Sequence, residues 1–114
     1  MSRHDPRVTL RQIADHARRA QALCAERTLG QLRADWQATL ALERAIEVLG
    51  EAVKRMPMEL RDKHPEIPWK QIAGTRDYLI HAYDAVDYQL LWDAVQNDVP
   101  PLLAAVEEIL RELG

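Results

Sequence analysis

Apolar residues return at steps of three and four along most of this chain, and no stretch alternates convincingly enough for a strand. Leu10, Ile13, Ala14, Ala17, Ala20 and Cys24 make one such face, with Arg11, Asp15, Arg18 and Arg19 largely opposite. Leu102, Leu103, Val106, Ile109, Leu110 and Leu113 make another. Phenylalanine is absent, glycine is scarce, and leucine, alanine, glutamate and arginine are plentiful, a mix that favours helices. The pattern predicts an all-α fold: an antiparallel helical bundle of four to five helices, one domain over residues 1–114, with a core large enough to need neither disulfide nor metal.

Punctuation residues place the elements. Asp5-Pro6 opens the first helix, and Thr28-Leu29-Gly30 reads as a break. A longer helix is expected from about Arg33 to Met56, with Trp36, Leu40, Ile46, Leu49 and Val53 as its apolar positions. Gly50 in its interior costs about 1 kcal/mol against alanine. The usual reason for accepting that is close approach of a neighbouring helix. Glu43, Glu47 and Glu51 form one ridge, either a solvated face, a partner surface or an orienter for a basic group. Pro57 stops this helix, and residues 57–64 fit one or two short turns. Pro68 opens the next helix near Trp69. Asp87 is positioned to cap a helix carrying Leu90, Leu91, Trp92 and Val95; Asn97-Asp98 is expected to end it, with Asp98 beginning the last helix ahead of Pro100 and Pro101.

Chemistry concentrates in Gly74-Thr75-Arg76-Asp77-Tyr78-Leu79-Ile80-His81-Ala82-Tyr83. Arginine offers a planar, permanently charged fork that matches phosphate oxygens, and histidine exchanges protons near neutrality. On an extended helix, Trp69, Ile72, Arg76, Leu79, Tyr83 and Val86 share one stripe, so Arg76 and Tyr83 interrupt an apolar seam and the cation needs a partner. Asp77 and His81 are four apart, close enough for the carboxylate to orient the ring. Arg76 and His81, however, lie about 140° apart around a straight helix. Either the helix is distorted near Gly74 or its end, or two subunits of a two-fold dimer combine their side chains.

Other chemistries find less support. The formal net charge of −3 argues against coating nucleic acid by bulk charge, so an RNA site must rest on a local basic cluster or on two copies meeting. His4, His16, His64 and His81 are scattered without zinc spacing, and no glycine loop cradles a phosphate, so no metal and no cofactor is expected. The single Cys24 rules out an internal disulfide and reads as packing. The first residues lack the apolar run of a signal peptide and no stretch is long enough for a membrane span, so a cytoplasmic location is expected.

The segment Ile72 to Tyr83, followed by Val86-Asp87 and Leu91-Trp92, resembles the HepT-type toxins of the HEPN superfamily. Ile46-Glu47-Val48-Leu49-Gly50-Glu51-Ala52, Pro65-Glu66-Ile67-Pro68-Trp69 and Pro101-Leu102-Leu103 extend the similarity from about Trp36 onward. Asp77 stands where asparagine is common in that family. The resemblance implies a homodimeric, metal-independent endoribonuclease acting on RNA such as tRNA or mRNA. In it Arg76 and His81 are catalytic at a dimer cleft, and Asp77 and Tyr83 are supporting. It implies the toxin half of a type VII-like toxin–antitoxin pair, silenced when a MntA-like nucleotidyltransferase antitoxin transfers AMP to Tyr83. Two alternatives are a non-catalytic nucleotide- or RNA-binding subunit of a nucleotidyltransferase complex, and a helical dimer without chemistry.

Overall fold

In the computed structural model, which describes residues 5–82 and 85–114, the chain is an all-helical bundle. Four long helices carry it: α1 (Pro6–Cys24), α3 (Trp36–Lys54), α5 (Trp69–His81) and α7 (Val99–Leu113). Three six-residue helices link them: α2 (Leu29–Ala34), α4 (Met58–Lys63) and α6 (Tyr88–Asp93). A π-helical turn, Ala94–Asp98, joins α6 to α7. Helix α1 packs on α3 and α7, and α3 packs on α5.

Local chemistry explains most boundaries. The Asp5 carboxylate accepts the Arg7 N–H at the start of α1, with Pro6 in the first turn where no donor is missed. The break expected at Thr28-Leu29-Gly30 falls at residues 25–28, and Leu29 already opens a short helix. Thr28 and Gln31 form a reciprocal capping box, Thr28 Oγ1 accepting the Gln31 N–H and Gln31 Oε1 accepting the Thr28 N–H. Helix α3 begins at Trp36 rather than near Arg33, because the Asp35 carboxylate turns to accept the Ala38 N–H. It ends at Lys54, ahead of Pro57.

The bundle holds two buried clusters. One gathers Leu10, Ile13, Leu49, Val53, Trp69 and Ile72 with Leu102, Val106 and Ile109 of α7. The other gathers Ala20, Cys24, Leu42, Ile46, Leu79, Leu91 and Val95. Burial holds the Cys24 thiol above its ordinary pKa, which suits packing and not nucleophilic work. Both α3 and α5 contribute to each cluster. The buried stripe of α3 runs through Leu42, Ile46, Leu49 and Val53, so Trp36 and Leu40 face away, 68% and 54% exposed. Those two residues are apolar but are not core.

The expected stop at Asn97-Asp98 is absent. The path stays helical through the π turn, and the Asp98 side chain caps nothing. Pro100 and Pro101 lack the N–H groups that an α ladder would use, and their rings crowd the carbonyls four residues back. A wider turn just before them relieves that conflict. It also keeps Leu91, Val95 and Val99 on one face at two successive four-residue steps.

Gly50 sits where α3 meets α5. A Cβ there would stand 2.2 Å from Arg76 Cβ and 2.8 Å from its Cγ, whereas one on Gly74 would meet nothing within 4 Å. Gly50→Ala therefore gains helix propensity yet forces two backbones apart, and should lower stability by about 1–2 kcal/mol net. Gly74→Ala should raise it by about 0.5–1 kcal/mol. Thermal unfolding of the two variants checks this, and Gly50→Ala melting at or above the parent would overturn it.

Candidate active site

The site is built on the α3–α5 crossing. Ile72 and Leu79 bury themselves on α5, at 2% and 7% exposure, and Arg76 lies between them on the same face. With no side chain at Gly50, the Arg76 stem passes over α3, and the side chain as a whole stays 23% exposed. Arg76 Nη2 is 2.6 Å from Glu51 Oε2, and Arg76 Nη1 donates to Asp77 Oδ1 at 3.0 Å. The cation on the apolar seam is thus paired from α3 and from its own helix.

Asp77 is shared. Its Oδ1 also accepts from Lys54 Nζ at 2.9 Å. The hydrogen bond from Lys54, then that from Arg76, holds the Asp77 carboxyl below its ordinary pKa. The chain Glu51–Arg76–Asp77–Lys54 alternates in charge along the seam. The neighbouring glutamates of the α3 ridge find separate partners: Glu47 pairs with Arg44 at 3.8 Å, and Glu43 accepts the Tyr88 hydroxyl. Burial, then the bond to Glu43, raises the Tyr88 pKa.

His81 is the last residue of α5 and is exposed. Its Nδ1 lies 2.8 Å from the Asp77 main-chain carbonyl. A carbonyl can only accept, so Nδ1 carries the proton and a neutral ring leaves Nε2 unprotonated. Asp77 does hold His81, but with its backbone. The carboxylate expected to orient the ring is taken by two cations, which bind it more strongly than a neutral imidazole would.

Helix α5 is continuous from Trp69 to His81, without distortion at Gly74. A cavity of about 360 Å³ is lined by Arg76, Ile80, Glu51, Arg44 and Arg55 among others, and His81 is not in its wall. One subunit therefore keeps Arg76 and His81 on different sides of the helix. Tyr83 lies outside the described residues. The chain beyond it is tied to α5 by Tyr78, whose hydroxyl accepts the Asp87 N–H at 2.7 Å and donates to the Ala85 carbonyl at 3.4 Å.

Sequence reasoning missed Lys54. A signal for it existed: once Gly50 marks the crossing, Glu51 and Lys54, one and four residues on, flank whatever α5 places there.

Comparison with known proteins places this geometry. The family model described as Ribonuclease HepT-like matches residues 13–109. The chain belongs to the HepT-like family. A Methanocaldococcus jannaschii protein named "Putative RNase MJ0127" is 34% identical over 99% of this chain and 93% of its own length. The "Probable ribonuclease HepT" of Thermococcus cleftensis is 43% identical over 68% of this chain and 70% of its own. "Putative RNase TTE0752" of Caldanaerobacter subterraneus subsp. tengcongensis is 47% identical over 65% of this chain and 66% of its own, just under two thirds. No solved structure matches the chain. The HepT-like match spans α3 and α5 whole, so the seam carrying Gly50, Glu51, Arg76 and Asp77 lies inside it.

The Asp77 environment gives a direct test. Because its folded pKa is lowered, the pairing of Asp77 with Lys54 and Arg76 stabilises the fold above the ordinary value of 3.8, and that stabilisation disappears as pH falls through the lower, folded value. Carboxyl NMR titration should place Asp77 below 3.8, and Lys54→Gln should move it back toward 3.8. An Asp77 pKa that ignores Lys54→Gln would show the network to be wrong.

Proposed function

We propose that the chain, as one HepT-like domain, is a metal-independent endoribonuclease whose catalytic groups are Arg76 and His81. The observation that carries this is the histidine bond. Nδ1 is anchored on the Asp77 carbonyl at 2.8 Å, which leaves Nε2 to exchange protons one helical turn beyond a guanidinium already fixed in place. In the reaction, Nε2 takes the proton of a ribose 2′-hydroxyl, whose oxygen attacks the adjacent phosphorus. The bond to the 5′-oxygen breaks and that oxygen takes up a proton from solvent. The products are a 2′,3′-cyclic phosphate and a 5′-hydroxyl. Arg76 stabilises the phosphorane charge, displacing a carboxylate to do so. Asp77 retains Lys54 as a second partner when Arg76 turns to phosphate.

The two groups act across a homodimer. Their separation of about 140° on one helix prevents a single subunit from aiming both at one phosphate. Exposed Ile80 on α5 lines the cleft, and exposed Trp36 and Leu40 on α3 supply further apolar surface for a second copy. The names of the relatives as RNases agree with RNA as substrate.

His81→Ala should abolish cleavage, and Arg76→Ala should reduce it by about 100-fold or more, the scale of losing one transition-state donor. An all-deoxy strand should stay intact. Gel analysis of labelled RNA and DNA reads all three, and full activity in His81→Ala would end the proposal.

The same reading makes the chain the toxin of a two-component system. A MntA-like nucleotidyltransferase transfers AMP from ATP to Tyr83: the phenol oxygen attacks the α-phosphorus, pyrophosphate leaves, and a proton goes to solvent. The added phosphate occupies Arg76 and blocks RNA. The bonds already made by the Tyr78 hydroxyl support Tyr83 over Tyr78 as acceptor. Intact mass after incubation with partner and ATP should show one AMP, absent in Tyr83→Phe and kept in Tyr78→Phe.

A second reading, a nucleotide- or RNA-binding subunit without cleavage, is favoured by one feature. Glu51 and Asp77 already neutralise Arg76 at rest. It predicts RNA or nucleotide binding that depends on Arg76 with no product in the gel.

A further inference from the structure

A chain of net charge −3 needs a local cluster of cations to hold RNA, and three arginines gather on the α1–α3 face. A trough of about 750 Å³ runs between the two helices. Its walls carry Arg19, Arg27, Arg44 and His16, and among the described residues no aspartate or glutamate lines it. The carboxylates that pair with these arginines reach them from outside the cavity. Asp15 meets Arg19 at 3.0 Å, Asp35 meets Arg27 at 3.3 Å, and Glu47 meets Arg44 at 3.8 Å. Arg44 keeps 77% and Arg19 63% of its side chain exposed, so both can turn inward at little cost. The floor is small and apolar: Ala22, Leu23, Ala41, Ala45 and Val48.

The trough leads to the proposed site. Gln12, Arg44 and Val48 line both it and the 360 Å³ cavity into which Arg76 opens. From Ala41 to Glu51, α3 rises about 15 Å along this path. Low-dielectric walls bearing one sign of charge focus potential inside a cleft. Three arginine forks spaced over an apolar floor suit a flexible polyanion, phosphates on the guanidiniums and sugar or base faces on the floor.

We infer that the α1–α3 trough is the track that holds single-stranded RNA through Arg19, Arg27 and Arg44 and delivers its backbone to Arg76. The inference rests on the ribonuclease reading for what happens at Arg76, but binding in the trough is measurable without cleavage. The track acts on affinity and not on chemistry.

The test uses the full chain carrying His81→Ala, so that substrate survives, and the fluorescence anisotropy of a short labelled single-stranded RNA. Arg19→Gln, Arg27→Gln and Arg44→Gln together should weaken binding by about tenfold or more and reduce the salt slope by about 2, or about 0.7 for each phosphate left without its arginine. Arg111→Gln on α7, the same charge change as any one of the three, should bind like its parent. Arg44→Gln alone, at the most exposed of the three, should show a single increment, which keeps the test intact if the triple variant unfolds. In the cleaving protein Arg19→Gln with Arg27→Gln, neither of which lines the Arg76 cavity, should raise KM for long RNA while kcat and cleavage of a dinucleotide hold.

Unchanged affinity and salt slope in the triple variant would overturn the track. So would a change in sedimentation mass caused by Arg44→Gln, because the trough would then be a contact between copies. Cleavage by the parent protein that survives His81→Ala, together with the expected weakening of binding, would remove the proposed mechanism and leave the track standing.

Discussion

At the α3–α5 crossing Gly50 contributes no side chain and Arg76 begins one, and most of the site follows from that single close approach. The missing Cβ gives the Arg76 stem its passage, since an alanine carbon would stand 2.2 Å from Arg76 Cβ. The same approach seals Ile72 and Leu79 into the two cores on either side. It also sets Glu51 and Lys54, the α3 residues just past the glycine, beside Arg76 and Asp77. Packing thus determines the electrostatics. The helix-propensity penalty at Gly50 is small, about 1 kcal/mol, against the cost of leaving a guanidinium unpaired on an apolar seam.

The alternating row of charges answers a question that Asp77 raises. An aspartate next to a phosphate-binding arginine would ordinarily compete with the phosphate. Here Lys54 is the larger of the two influences on Asp77, so the carboxylate is anchored to α3 as well as to Arg76. Releasing Arg76 from Asp77 does not strand a charge, because the lysine bond remains. Glu51 is the stronger competitor by geometry, at 2.6 Å. On the proposed reading, a substrate phosphate must bring enough affinity from elsewhere to exchange with Glu51, which would give the inferred track a thermodynamic purpose.

Much of this was legible in the sequence where one residue acts locally. Asp5, Pro57, Pro68 and Asp87 mark boundaries because caps and prolines work within a turn of themselves. Gly50 could be read as a close approach because its cost needed a reason. Which α5 residue it faces could not, since that depends on the register of two helices fixed by both cores together. Trp36 and Leu40 misled for a related reason: apolar character marks a face, but the stronger stripe through Leu42, Ile46, Leu49 and Val53 decides which face is buried. The Thr28–Gln31 capping box was present as a spacing and was hidden by Gly30. The π turn at Ala94–Asp98 has no local signature, because it reconciles two prolines with two clusters at once.

The positions of the two catalytic candidates on α5 suggest a division of labour. Arg76 is in the middle of the helix, wedged over α3 and bonded on both sides, so its fork is preorganised where charge would develop. His81 ends the helix, with Ala82 turning its N–H back to the Leu79 carbonyl. One bond to the Asp77 carbonyl sets its tautomer, while its exposed position leaves the ring free to meet a group from outside the subunit. A proton-transfer group must approach and withdraw as bonds change, whereas a charge stabiliser works best when held still. A helix interior and a helix end offer those two conditions five residues apart. The same separation points the two side chains in different directions, which is why the proposed mechanism, in which both act on one phosphate, calls on a second copy to complete the site.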